Sequence, residues 1–416
     1  MSVSTLGAIL ALVIAIVLIL KKIPPTYSMI IGAIVGGLVG GVGLTNTVTY
    51  MIAGTKDIVP AIIRIVAAGI LAGSLIQSGA AARIADTIVK KLGAKNSLLA
   101  MTLATCLLTA VGVFGDVAII TVSPIAIQIA QKSGYRKMGI LIAMIGGVKA
   151  GNVMSPNPNA IAAAETFNVP LTSMMAAGIP AAITAIIITT IVAKLLAYKG
   201  TEVVADNADD SEEELPSLLA SLIGPIVTIA LLLCRPLFNV TIDPLIALPV
   251  GGLVGMIAMG KIKHIVPYFQ FGLDRMSGVA MLLIGTGTLA GIIGNSELKE
   301  VIITTLNMVG LPALLLAPIS GTLMGAASAS STAGTTLASQ VFGETILSYG
   351  VPALSAGAMI HSGSFVFDGL PHGSFFHVSA GCVNMEIKER LKLIVYESLI
   401  GLCMVTVSTI IFGLIL

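Results

Sequence analysis

Charged residues are scarce in this sequence, which has 416 residues of which only 10% are Asp, Glu, Lys or Arg. A soluble domain of ordinary composition has about 25% charged residues, so a chain whose whole surface lies in water is excluded. The net charge of +2 leaves no basic excess for a nucleic-acid partner. Tryptophan is absent, which removes one residue that usually anchors helices at a lipid–water interface.

Motifs for metal binding, redox chemistry and nucleotide binding are missing as well. Cys106, Cys234, Cys382 and Cys403 lie in or beside apolar runs without paired spacing. This predicts packing thiols and neither a disulfide framework nor a metal site. The 45 glycines form no Walker pattern, so ATP is not the expected energy source. No spacing of nucleophile and base indicates an enzyme, and no cofactor is expected.

Long apolar stretches recur from one end of the sequence to the other, and 56% of the residues are hydrophobic. Each stretch has roughly 17–25 residues, enough for a helix to cross a hydrocarbon layer of about 30 Å. The first, residues 6–20, lacks a basic start and is followed by Lys21 and Lys22. We therefore interpret it as a retained span rather than a signal peptide. The sequence predicts an all-α, multi-pass membrane protein.

One sequence pattern occurs near the end of each half of the chain. The first copy is AMIGGVKAGNVMSPNPNA at residues 143–160, and the second is AMIHSGSFVFDGLPHGSF at residues 358–375, with Pro156 and Pro371 at the same place. In each copy an apolar helix is interrupted by Gly, Pro and Asn or His. Broken helices survive in a membrane only inside protein or along a cavity, because lipid cannot satisfy free backbone groups. A matching pair indicates a ligand site between two repeats.

A polar linker, residues 201–216, contains DNADDSEEE and is predicted to be a solvated cytoplasmic loop. The flanking halves align element by element, so residues 1–200 and 217–416 are predicted to be two repeats. Together they provide about ten transmembrane helices. The two broken helices are expected at residues 138–167 and 351–383.

Two further apolar stretches, residues 97–131 and 312–348, are interrupted in the middle by GVFGD and GAASASSTAGTT. Their arms are short for a full crossing at 1.5 Å per residue, which predicts two re-entrant hairpins. With the N-terminus outside, most of the 22 lysines and arginines, including Arg275 and Arg390, fall on the cytoplasmic side. Basic flanks place the entry of the first hairpin in the cytoplasm and that of the second outside. The repeats are therefore predicted to be inverted.

Polar residues cluster at each predicted hairpin turn. Asp116 closes the first turn, where it either accepts a proton or Na⁺ or caps the following helix. The second turn offers small hydroxyls for a hydroxylated or carboxylate ligand, and tight helix packing is the alternative. These hydroxyl residues are Ser328, Ser330, Ser331 and Thr332.

The first broken helix contributes amides and a cation. Asn152, Ser155, Asn157 and Asn159 surround the break, where they either bind ligand hydroxyls or cap the helix ends. Lys149 precedes them and is expected either to neutralise a ligand carboxylate or to pair with an acid such as Asp116.

The second broken helix contains His361, Ser362, Asp368 and His372. Histidine titrates near physiological pH and is a natural proton carrier, although each histidine is also explained by a structural role. We predict that His361, Ser362 and His372 contact the ligand. Asp116, His361, Asp368 and His372 are the candidates for binding a coupling proton.

The segment FDGLPHGSFFHVSAGCVNMEIKERLKLIVYE, residues 367–397, resembles the closing signature of gluconate permeases of the GntP family. The stretches DVAIITVSP and NVMSPNPNAIAAAETFNVPL resemble the middle of that family, which belongs to the ion transporter superfamily. The resemblance covers essentially the whole chain. It implies a scaffold, a moving domain that carries both hairpins and both broken helices, elevator-type movement and a homodimer.

The resemblance also implies a function, because family members carry gluconate and related small anions together with protons. We expect a proton-coupled symporter for a small hydroxylated monocarboxylate in a bacterial inner membrane, whose partners are the organic anion, protons and membrane lipid. A Na⁺-coupled carrier of a dicarboxylate or amino acid is one alternative, and a channel is another. Sodium dependence and saturable counterflow distinguish the three.

Overall fold

The structure is a computed structural model that describes residues 2–93, 96–203, 215–238, 240–298, 301, 312–371 and 373–415. Most of the acidic part of the linker, residues 204–214, lies outside the described residues. The described chain is helical, which confirms the all-α prediction. The helices are α1 (Thr5–Leu20), α2 (Pro25–Val39), α3 (Gly43–Gln77), α4 (Ala80–Leu92), α5 (Ser97–Ala110), α6 (Gly115–Ser133), α7 (Lys137–Val153), α8 (Pro158–Thr166), α9 (Leu171–Leu196), α10 (Leu218–Phe238), α11 (Pro244–Ala258), α12 (Ile265–Gly294), α13 (Leu316–Ser328), α14 (Ser331–Ser348), α15 (Ala353–Gly363), α16 (Ser374–Gly381) and α17 (Ile387–Thr409).

Several of these helices are long and apolar enough to cross a membrane. They are Gly43–Gln77, Lys137–Thr166, Leu171–Leu196, Ile262–Gly294 and Ile387–Ile415. On α9, Ile179, Ile183 and Ile187 recur at every fourth position and are each about half exposed. An exposed apolar stripe of this kind on a long helix is typical of a surface that faces lipid. The chain is a multi-pass membrane protein.

Helices α3 and α12 pack against each other at the centre of a first bundle. Glycine permits their close approach, as in other membrane helix pairs. A Cβ atom at Gly54 would lie 2.3 Å from the Gly287 carbonyl oxygen, and one at Gly69 would lie 2.7 Å from that of Gly272. The α1–α2 pair packs beside α12, and the α10–α11 pair packs beside α3. We call this group of six helices the scaffold bundle.

A second bundle contains α5–α9 and α13–α17, which we call the inner bundle. Helix α7 is packed between α5 and α9, and it is buried on every side from Met138 to Gly151. A Cβ atom at Gly147 would lie 2.1 Å from the Thr105 hydroxyl oxygen, and that hydroxyl donates to the Met144 carbonyl oxygen at 3.0 Å. Helices α13 and α15 also meet through glycine, because a Cβ atom at Gly321 would lie 2.3 Å from a carbonyl oxygen on α15.

Four interruptions lie within the inner bundle. They separate α5 from α6, α7 from α8, α13 from α14, and α15 from α16. The turn between α13 and α14 contains only Ala329 and Ser330, so it is narrower than the predicted interruption at residues 325–336. Tight packing keeps the glycine, serine and threonine residues of this stretch helical despite their weak intrinsic preference.

The packing partners correspond between the two halves of the chain. Helix α5 packs on α6 and α7 in the first half, and α13 packs on α14 and α15 in the second. In the scaffold bundle, α2 contacts α12 and α11 contacts α3. If α2 corresponds to α11 and α3 to α12, these two contacts are equivalent, as expected for two related halves. The inverted orientation of the repeats stays a prediction.

Candidate functional site

The N-terminal ends of four helices meet at one cavity of about 330 Å³. The first residues of α6, α8, α14 and α16 line it; they are Gly115, Pro158, Ser331 and Ser374. Helix N-termini carry free N–H groups and partial positive charge, which favour a bound anion. Helix α12 of the scaffold bundle closes one wall through Arg275, Met276 and Val279.

Asp116 lies in the first turn of α6, beside the turn of the first hairpin. One of its oxygens accepts a 2.9 Å hydrogen bond from the Val117 N–H, and the other accepts one of 2.9 Å from the Arg275 guanidinium. The side chains of Arg275 and Asp116 are 41% and 29% exposed. Because Arg275 belongs to α12, this ion pair connects the inner bundle to the scaffold bundle.

The first break is organised by asparagine side chains. The Asn157 oxygen accepts a 3.0 Å bond from the Ala160 N–H and so caps α8, while its amide nitrogen donates to the Asn152 carbonyl oxygen at 2.6 Å. The Asn159 oxygen accepts a 2.6 Å bond from the Thr332 hydroxyl, which joins this break to the second hairpin. The buried amide nitrogen of Asn159 has no partner among the described residues. A buried unpaired donor is costly, so this nitrogen is suited to bind a ligand in the cavity.

The turn of the second hairpin lies directly on the second break. Ala329 has a φ of +46°, in the left-handed region, and the Ser330 hydroxyl caps α14 by accepting the Ala333 N–H at 3.3 Å. A Cβ atom at Gly373 would lie 2.4 Å from the Ala329 carbonyl oxygen. Only glycine therefore fits at residue 373, and the close contact fixes the turn over the start of α16.

Lys149 and Asp368 form a buried ion pair in the lining of the cavity. The Lys149 ammonium group contacts the Asp368 carboxylate and donates to the Phe365 carbonyl oxygen at 2.7 Å. The two side chains are 1% and 10% exposed, and both residues line the cavity. The pair joins the first broken helix to the connection in the second.

A second buried ion pair packs against the connection between α15 and α16. On α17, Arg390 contacts Glu397, and both side chains are almost completely buried. The Arg390 Nε also donates to the Ser379 hydroxyl at 3.0 Å, and the guanidinium lies 4.7 Å from the centre of the Phe376 ring. A Cβ atom at Gly369, the residue after Asp368, would lie 2.1 Å from a Glu397 oxygen. The two ion pairs are therefore neighbours within the inner bundle.

A separate cavity of about 280 Å³ contains a fourth ionic contact. Arg64 on α3 contacts Glu165 on α8 and donates to Asp243, the N-cap of α11, at 2.8 Å. Hydrogen bonding to Arg64 holds the pKa of Asp243 below its usual range. This contact is a second link between the scaffold and inner bundles.

Comparison with known proteins identifies the family. A family model described as GntP family permease matches residues 3–415. The chain belongs to the GntP permease family. It is 57% identical over 413 residues to an uncharacterized transporter of Haemophilus influenzae, with 99% of each chain covered. It is 24% identical over 379 residues to the high-affinity gluconate transporter of Escherichia coli, with 84% of this chain and 86% of that protein covered.

One solved structure is similar in fold. The Alcanivorax borkumensis YdaH transporter, described as having an unusual topology, matches with a TM-score of 0.67 at 15% identity. The match covers 90% of this chain and 88% of that one. At this identity the likeness supports the fold alone. The family match makes this protein a permease, a membrane transporter, and confirms the resemblance found in the sequence.

The cavity of the permease gathers many, but not all, of the predicted site residues. Those that line it are Asp116, Asn152, Asn157, Asn159, Ser330, Ser331, Thr332 and Asp368. Ser155, Ser328, His361 and Ser362 are not among the lining residues. His372 lies outside the described residues.

Three of the four predicted residues away from the cavity form local hydrogen bonds. Ser155, Ser328 and Ser362 donate to the backbone carbonyl oxygens of their own segments at 3.2, 2.7 and 2.8 Å. The His361 ring is buried, with its centre 5.5 Å from that of Phe365, and its Nε2 has no partner among the described residues.

Three charged residues of this region were not predicted as part of a site. Arg275 and Arg390 were assigned to the cytoplasmic side, but Arg275 lines the cavity and Arg390 is completely buried in the inner bundle. Glu397 was overlooked. Arg390 and Glu397 are seven residues apart on one helix, about two turns. This spacing could have predicted that the two side chains lie on the same helix face. Two roles were open for Lys149, a contact with a ligand carboxylate or a pair with an acid such as Asp116. The structure pairs it with Asp368 rather than Asp116.

Proposed function

We propose that this permease imports gluconate, or a similar small hydroxylated monocarboxylate, together with protons across the inner membrane of a bacterium. The observation that carries the proposal is the meeting of four helix N-termini around the cavity. This arrangement supplies partial positive charge without requiring an unpaired basic side chain. It suits a single carboxylate better than a strongly charged ligand.

The hydroxyl groups of the ligand would find matching partners in the same cavity. Ser330, Ser331 and Thr332 supply hydroxyls to its lining, and Asn152 and Asn159 supply amides. The unpaired Asn159 nitrogen would gain an acceptor from the ligand. The carriage of gluconate by the Escherichia coli relative supports this choice of ligand.

The cavity also contains two carboxylates, Asp116 and Asp368, that can take up a proton. Each is paired with one cation, so the charged side chains around the cavity form two neutral pairs. Binding an anion there would add a negative charge, which simultaneous uptake of one proton would offset. Proton coupling is therefore the electrostatically favoured way to occupy this site.

We further propose elevator-type movement of the inner bundle against the scaffold bundle, within a homodimer. The two described ionic links between the bundles, Asp116–Arg275 and Arg64–Glu165, are both partly exposed. Such pairs contribute little to stability, about 0–1 kcal/mol each, and so can break and reform during movement. The fold similarity to another transporter is compatible with this proposal.

Uptake of labelled gluconate into sodium-free proteoliposomes tests the function directly. We expect accumulation when the outside is made acidic, and loss of accumulation when a protonophore collapses the gradient. Uptake that ignores the pH gradient would contradict proton coupling. A requirement for sodium would replace it with sodium coupling. Conductance without saturation or counterflow would indicate a channel instead.

A further inference from the structure

The ammonium group of Lys149 is placed between a protein carboxylate and the space that a ligand would fill. It contacts Asp368 on one side and is fixed by the Phe365 carbonyl oxygen at 2.7 Å. Lys149 lines the cavity even though its side chain is only 1% exposed. An anion in the cavity can therefore approach the ammonium group only in competition with Asp368.

Among the described residues, Lys149 is the only cation that forms an ion pair with Asp368. Lys149 on α7 and Arg390 and Glu397 on α17 are the described charged groups that act on it. Arg390 already contacts Glu397. Across the cavity, Asp116 and Arg275 form their own pair. If Lys149 turned to a ligand while Asp368 stayed ionised, a buried carboxylate would be left without a counter-ion, which is strongly unfavourable.

Protonation removes this conflict. A neutral Asp368 no longer needs Lys149, and it can stay in place as a hydrogen-bonding group. Its position in the cavity lining gives cavity water access to the carboxyl group. Two carboxylates that share one ammonium group in a buried site cannot both stay ionised easily, so the arrival of an anion favours the uptake of one proton.

We infer that Lys149 exchanges partners during transport: protonation of Asp368 releases the ammonium group, which then binds the carboxylate of the anionic substrate. This inference rests on the proposed function and assigns the coupling proton to Asp368 and the substrate carboxylate to Lys149. The proton moves from cavity water to an oxygen of Asp368, the contact between Lys149 and Asp368 breaks, and one between Lys149 and the substrate forms. On the cytoplasmic side the substrate leaves, Asp368 returns its proton to water, and the original ion pair reforms.

The exchange has a definite charge balance. One anion and one proton cross together, so the step carries no net charge. Substrate and proton binding are also linked. Protonation of Asp368 removes the carboxylate that competes with the substrate for Lys149. Binding of the substrate removes the ammonium group that competes with the proton for Asp368. At pH values where Asp368 is ionised, each further pH unit should weaken substrate binding about tenfold.

Calorimetric titration of the purified full-length permease with gluconate tests the inference. Repeating the titration in buffers with different heats of ionisation gives the number of protons taken up on binding. For the wild type we expect about one proton per gluconate and an affinity that falls as the pH rises. For Asp368→Asn, whose amide imitates the protonated acid, we expect gluconate binding without proton uptake and without pH dependence.

Asp57→Asn provides the matched control, since Asp57 is an exposed residue of α3 that does not line this cavity. This variant should bind gluconate and take up a proton as the wild type does. If Asp368→Asn does not fold, as judged by gel filtration, Asp368→Glu replaces it. This variant should keep the proton uptake but move the pH at which the affinity changes; an unmoved profile would overturn the inference.

The remaining outcomes separate the inference from the function on which it rests. Binding by the wild type without proton uptake would overturn the inference alone. Proton uptake that persists in Asp368→Asn but disappears in Asp116→Asn or Glu397→Gln would also overturn it. Failure of the wild type to bind gluconate at all would overturn the proposed substrate and the inference together.

Discussion

Two carboxylates face the same cavity in very different surroundings. Asp116 pairs with Arg275 across the boundary between the bundles, and both side chains are partly exposed. Asp368 pairs with Lys149 inside one bundle, where both are nearly inaccessible. Solvent screens the first pair, so its loss costs little. The second pair is almost completely removed from solvent, so water cannot fully replace either partner and its members depend on each other.

This difference suggests a division of roles. An ion pair that must break each time one bundle moves past the other should be weak, and the Asp116–Arg275 pair meets that requirement. A pair that links substrate binding to protonation should be strongly coupled, and the Lys149–Asp368 pair meets that one. Under the proposed mechanism, the first pair would therefore serve movement and the second would serve coupling.

The largest effect is expected from Lys149→Met. It would leave Asp368 buried without a counter-ion, at a cost of about 3–5 kcal/mol in the free energy of unfolding, and it would abolish uptake. Thermal unfolding in detergent, followed by gel filtration, measures the first effect and gluconate uptake the second.

The double variant Lys149→Met/Asp368→Leu separates these two losses. It should recover much of the stability, because no buried charge remains, but none of the uptake. Lys199→Met is the control at an exposed lysine and should change neither property. If Lys149→Met unfolded at the wild-type temperature, the distinction between the two pairs would be lost.

A smaller effect is expected from Arg275→Gln. The partly exposed pair contributes about 0–1 kcal/mol, so the stability should barely change while the uptake rate changes a few-fold. Raising the ionic strength should alter the wild-type rate more than that of Arg275→Gln, because salt screens exposed pairs and the variant keeps only the Arg64–Glu165 link. Complete loss of uptake in Arg275→Gln, with uptake preserved in Lys149→Met, would reverse the assignment of roles.

The smallest effect is expected from Thr332→Val. This change removes the 2.6 Å hydrogen bond to Asn159, which is worth about 1 kcal/mol, and should raise the KM for gluconate about fivefold. Thr184→Val is the matched control, because Thr184 donates only to the Pro180 carbonyl oxygen of its own helix at 2.9 Å. An unchanged KM in Thr332→Val would remove this contact from the ligand site.

Local sequence patterns predicted the helical class and the places where helices break. Proline, glycine and asparagine near Pro156 disturb a helix through local backbone chemistry, so the break before α8 can be recognised from sequence alone. The hairpin arms were expected to be short throughout, but α6 and α14, which follow the turns, have 19 and 18 residues. Small residues were less informative, as at residues 325–336, because their conformation depends on the helices packed around them.

The charge pairs could not be predicted, because they depend on contacts between distant segments. Lys149 and Asp368 lie 219 positions apart, and no local periodicity connects them. The orientation of His361 and Ser362 was also hidden, because every residue of α15 from Ser355 to Gly363 is buried and no apolar face distinguishes one side. Arg275 was counted as a cytoplasmic charge because its partner, Asp116, is brought near only by the packing of the two bundles.

A structure of the permease determined with bound gluconate would test the central claim most directly. We expect density for gluconate in the cavity where α6, α8, α14 and α16 begin, with its carboxylate at the Lys149 ammonium group and a hydroxyl at the Asn159 nitrogen. Gluconate bound at Arg64 in the neighbouring cavity, with the first cavity filled only by water, would contradict it.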